Sequence, residues 1–138
     1  MKVERAREYV IENLQYALNP RSIAVVGASR YPTKVGYKVI EELRRWGYKG
    51  ELYPVNPRSN VVQGLPAYPT VKDIPYDVDL VFVAVPAHIV KSVLEDCVAK
   101  TVKIVVISTS ACKETGRGAR QTHLTQYCRA SPLPPHAP

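Results

Sequence analysis

Cysteine is scarce and wrongly arranged for a disulfide frame. Cys97, Cys112 and Cys128 are odd in number and show no paired spacing, so they are expected as reduced thiols in a cytoplasmic protein. They also leave no set of about four clustered ligands for a structural zinc, and no metal site is expected. The chain has no N-terminal apolar stretch either: MKVERAREYVIENL carries a charge in every turn, which excludes a signal peptide or a membrane span there. No membrane partner is expected.

Acidic residues stop at Glu114, although Arg117, Arg120 and Arg129 lie beyond it. Three of the seven excess positive charges therefore fall in the last part of the chain, and the net charge of +7 overstates the basicity of the remainder. Upstream, bases alternate with acids, as in Glu41, Glu42, Arg44 and Arg45, so the continuous basic stripe of a nucleic-acid reader is missing. The charge raises phosphate-bearing partners, nucleic acid or a nucleotide-like cofactor, and does not by itself choose among them. With 138 residues, the chain fits one domain that buries roughly two-thirds of its unfolded surface.

The apolar pattern alternates between two kinds of segment. Val3, Ala6, Val10, Leu14 and Ala17 recur at helical spacing until Asn19-Pro20 stops them, predicting an N-terminal helix over 1–18. Ser22–Val26, Glu51–Val55, Leu80–Val85 and Ile104–Ile107 are short runs bounded by turn formers, as expected of strands buried on both faces. Between them, Val35, Val39, Ile40, Leu43 and Trp46 predict one helix, ended by Gly47, and Ile89, Val90, Val93, Leu94, Cys97 and Val98 predict another. Trp46 and the tyrosines at 37, 48 and 53 are expected as core and rim packing. Strands without alternation, separated by helices, indicate an α/β fold: a Rossmann-like, doubly wound parallel sheet in three layers. The tail from Gln121, with its prolines and no periodicity, is expected to be disordered.

In such a sheet, ligands sit beyond the carboxyl ends of the strands. The segments there read GAS, VNPR, VPA and STS. Gly27 opens a turn that delivers backbone N–H groups and a helix N-terminus to one place, an arrangement suited to phosphate. The dinucleotide fingerprint is absent, because Ser29 stands at the second glycine position and the loop from Arg30 to Val35 is too long. The Walker pattern also fails: Lys34 has no glycine before it and Val35 after it. At the end of the second strand, where an NAD domain places an acid, the chain has Asn56, Pro57 and Arg58. A cation there suits a phosphorylated ribose, either the 2′-phosphate of NADP or the 3′-phosphate of coenzyme A. Val85 and Pro86 could border a flat base or a pantetheine arm. His88 reads as a surface or capping histidine, and no catalytic residue is identified.

Several segments together resemble one family. NPRSIAVVGAS, GYKVIEELRRWGYKGELYPVNP, VVQGLPAYPTVKDIPYDVDLVFVAVPA and KETGRG are similar to the CoA-binding domain of ADP-forming acetyl-CoA synthetases and to the succinyl-CoA synthetase α subunit, over residues 19–118. The resemblance implies that coenzyme A lies across the strand ends. Its phosphates would be near Gly27, Ala28, Ser29, Lys34 and Val35, with further contacts from Asn56, Pro57, Arg58, Val85 and Pro86, and with Ser108 and Thr109 after the fourth strand. The amphipathic N-terminal helix and the lack of a second domain make a synthetase partner subunit or a homo-oligomer an expectation. Ser110-Ala111-Cys112 stands where the family commonly has Ala-Gly-Phe. The segment from 119 departs from the family, as expected of a truncated or frame-shifted member. The family's phosphohistidine and nucleotide-grasp parts have no counterpart in this sequence, so no activity is expected of the chain alone. A nucleotide-binding regulator that uses NADP is the alternative.

Overall fold

The computed structural model describes residues 14–108. The expectations for residues 3–13, Thr109, Cys112, Cys128 and the tail from 119 lie outside the described residues. Residues 14–18 are helical (α1). They are followed by β1 (Ser22–Val26), α2 (Val35–Arg45), β2 (Glu51–Val55), β3 (Val61–Val62), β4 (Leu65–Pro66), a 3-10 turn (Val71–Asp73), β5 (Leu80–Val83), α3 (Ala87–Lys100) and β6 (Ile104–Ile107). The main sheet has the order β2-β1-β5-β6, and every pair in it is parallel.

The period of two along each strand assigns its side chains to two cores. On one face Ile23, Val25 and Leu80 meet Ile40 of α2, with Leu52, Phe82 and Ile104 against them. On the other, Ala24, Val26, Val55, Val81 and Val83 meet Val90, Val93, Leu94 and Cys97 of α3. Central β1 is buried at all five residues, and this two-sided burial is why it reads as a continuous apolar run. The expected α/β, doubly wound, three-layer arrangement is therefore the one observed. Burial of Cys97 pushes its thiol up to about 12, with a smaller contribution from Asp96, so the group stays protonated as a core residue.

Three local expectations are corrected. First, Trp46 is 84% exposed rather than part of the stripe. Helix α2 ends one residue earlier, because Gly47 adopts φ +77° and the amides of Gly47 and Tyr48 return to the carbonyls of Arg44 and Leu43. Tyr48 then packs into the core instead, while the Trp46 indole donates to Glu42. Second, β5 stops at Val83 rather than at Val85, as the chain turns toward Pro86. Third, the turn-rich stretch after β2 contains the β3–β4 hairpin. Its two-residue loop, Gln63-Gly64, has positive φ at both positions, which suits a two-residue hairpin. Val62 and Leu65 join the α2 core, and Arg44 donates to the Gln63 carbonyl.

Candidate functional site

All four parallel strands deliver their carboxyl ends to the same edge, and a cleft of about 870 Å³ opens there, within the range of small-molecule sites. Gly27, Ala28, Ser29, Lys34, Val35, Asn56, Pro57, Arg58, Val85 and Pro86 all line it. The structure therefore brings together ten of the twelve residues singled out from the sequence. Ser108 follows β6, where its amide donates to the Val83 carbonyl, and it does not line the cleft. Exposed His88 is also outside the lining.

Two glycines fix the loop after β1. Gly27 has φ +86°, and a Cβ there would run into the Ala84 carbonyl of the neighbouring strand turn. Gly36, in the first turn of α2, lies so close to the Gly27 carbonyl that a Cβ would overlap it. Sequence reasoning missed Gly36. The signal was available, because Gly27 and Gly36 do the work of the first and third glycines of the dinucleotide fingerprint, across a longer loop. That longer loop is itself braced: the Ser29 hydroxyl accepts from the Tyr31 amide, and the Lys34 amide donates to the Tyr31 carbonyl.

The first turns of two helices contribute to the lining of this cleft, through Val35 and Gly36 of α2 and Ile89 of α3. Neither α2 nor α3 has a side-chain cap or an acidic residue in its first turn, so neither positive end is neutralised by the protein. The charged side chains lining the cleft are Arg30, Lys34, Arg58 and Asp96. Asp96 is paired with Lys72 at 3.5 Å, so the remaining field comes from three cations and two helix ends. The lining also includes the apolar side chains of Val71, Val85, Pro86, Ile89 and Val93. A cleft that combines cations with apolar side chains fits an anionic ligand that carries a flat or aliphatic portion. Among the described residues, no cluster of three or more His, Cys, Asp or Glu side chains could hold a metal ion.

The side chain of Asn56 joins two of the loops. Its Nδ2 donates to the Ala28 carbonyl at 2.8 Å, and its Oδ1 accepts from the Arg58 amide at 2.7 Å. Its own backbone amide is held by the Tyr68 carbonyl.

The family model described as a CoA binding domain matches residues 21–134. The chain belongs to that family. Among its relatives is the α subunit of acetate–CoA ligase (ADP-forming) II of Pyrococcus furiosus, 47% identical over 108 residues, which covers 78% of this chain and 23% of the relative. Acetate–CoA ligase (ADP-forming) II of Archaeoglobus fulgidus is 41% identical over 114 residues, covering 82% of this chain and 17% of the relative. The same architecture occurs in the solved structure of dinucleotide-forming acetyl-coenzyme A synthetase 1 of Ca. Korarchaeum cryptofilum, in complex with phosphate and ADP. The TM-score is 0.77 at 39% identity, with 84% of this chain and 25% of that one covered. This CoA-binding domain thus spans about a fifth of the length of the ligases it matches. Among its described residues no helix is long and apolar enough to cross a membrane.

Proposed function

We propose that this CoA-binding domain, centred on residues 19–118, binds coenzyme A or an acyl-CoA across the strand ends and catalyses no ligation by itself. The observation that carries the reading is the convergence of two acid-free helix N-termini with Lys34 and Arg58 on one cleft. Backbone amides of Ala28, Ser29 and Val35 meet the diphosphate, because an anion at a helix N-terminus replaces the missing hydrogen-bond partners and is favoured by the dipole, while Gly27, whose own amide donates to the Val55 carbonyl, sets the turn that presents them. Asn56, Pro57 and Arg58 line the second side, where the guanidinium suits the ribose 3′-phosphate. Val85 and Pro86 supply an apolar border.

The ligation chemistry then resides in parts that the ligase relatives have beyond the matched length, supplied by a partner subunit or a further domain. The three cysteines without paired spacing favour the reducing cytoplasm. Thermal unfolding with coenzyme A, desulfo-CoA and NADP tests the reading. A ligand confined to the native state at 100 times its Kd adds about 2.7 kcal/mol. Coenzyme A and desulfo-CoA are expected to raise the Tm alike, and NADP to raise it less. A larger shift with NADP would favour a nucleotide-sensing regulator, and no shift with any of the three would remove the proposal.

A further inference from the structure

Asn56 stands where dinucleotide-binding domains carry an acid that accepts from a ribose hydroxyl, yet its side-chain hydrogen bonds run inward. The amide group bridges two loops that are 28 residues apart in sequence, donating to the Ala28 carbonyl and accepting from the Arg58 amide. Both bonds are short, and the residue is anchored from behind by the bond from its own amide to Tyr68. Ala28 is buried, so the phosphate loop offers a fixed point, whereas Arg58 is exposed. Only a group with a donor on one side and an acceptor on the other satisfies this pair. Aspartate has the shape but would set a carboxylate oxygen against the Ala28 carbonyl.

We infer that Asn56 is a positioning residue: it locks the loop at Ala28 to the turn at Arg58, fixing the distance between the diphosphate-facing amides and the guanidinium. This rests on the coenzyme A reading of the cleft and assigns its preference for a 3′-phosphorylated ligand to that spacing. An acid at this position would lose the donation to the Ala28 carbonyl as well as repel phosphate.

The test combines two readouts on the parent chain, Asn56→Ala and Asn56→Asp. In the ligand-free proteins, amide NMR is expected to show displaced resonances for Ala28 to Tyr31 in both variants. The Arg58 amide should lose protection in Asn56→Ala only, because the carboxylate of Asn56→Asp still accepts from it. By calorimetry, Asn56→Ala should bind coenzyme A roughly tenfold more weakly. Its preference for coenzyme A over dephospho-CoA should shrink at least about threefold, a ratio that a general loss of stability does not change. Resonance changes confined to residues 55–59, or an unchanged preference ratio, would overturn the positioning role. If the parent binds no coenzyme A, the function reading fails, and the ligand-free spectra still decide whether the lock exists.

Discussion

Gly36→Ala is expected to destabilise the fold by about 3 kcal/mol, measured as a lower midpoint of urea unfolding. Helix propensity alone argues the other way, since alanine is favoured over glycine within helices by up to about 1 kcal/mol. The sign of the effect therefore decides between the two. A Cβ at this position would overlap the Gly27 carbonyl and crowd the Ala28 Cα, both backbone groups with no rotamer to escape into. Relief requires α2 to move off β1, which would open the contact between Ile40 and Val25 in the core. The same displacement would carry the α2 N-terminus away from the loop, so ligand affinity should fall together with stability. Gly64→Ala is a useful contrast: its residue has φ +78° but nothing within reach of a Cβ, so any penalty there comes from the backbone alone and stays near 1 kcal/mol.

Arg58→Ala should weaken coenzyme A by about 1 to 3 kcal/mol, roughly five- to 150-fold, through loss of a charge-assisted contact. Calorimetry with dephospho-CoA gives the sharper result. If the guanidinium meets the 3′-phosphate, the substitution should leave dephospho-CoA affinity near the parent value, and the two ligands should become nearly equivalent in the variant. Parent protein that binds coenzyme A and dephospho-CoA equally would show that Arg58 meets no such group. The residue is exposed and its backbone amide is fixed by Asn56, so the substitution should leave thermal stability within about 0.5 kcal/mol of the parent.

The layered fold was legible because two-sided burial writes itself into the sequence. Ser22–Val26 and Leu80–Val83 have no polar residue on either face once Ser22 is set aside, and the structure buries them between α2 and α3. The cleft was legible for the same reason: parallel strands must end together, so GAS, VNPR and VPA had to meet. Signals of fewer residues were lost. Val61–Val62 and Leu65–Pro66 are two-residue strands, too short to show any period. Trp46 has the spacing of a buried helix residue, but the left-handed Gly47 ends α2 just before it. Gly36 was missed because the fingerprint was tested at its usual spacing, whereas here a longer loop separates Gly27 from the helix glycine that packs against its carbonyl. The internal bonding of Asn56 was beyond sequence reasoning, since it depends on which loop lies opposite.

The central claim is that the strand-end cleft holds the phosphates of coenzyme A, and backbone amide NMR during a coenzyme A titration tests it most directly. The account predicts saturable shifts at Gly27 to Gly36, at Asn56 and Arg58, and at Val85 to Ile89, with the amides of the α2 first turn moving furthest. Shifts centred instead on the apolar groove bounded by Leu18, Trp46, Phe82 and Val106, with the strand ends unmoved, would contradict it.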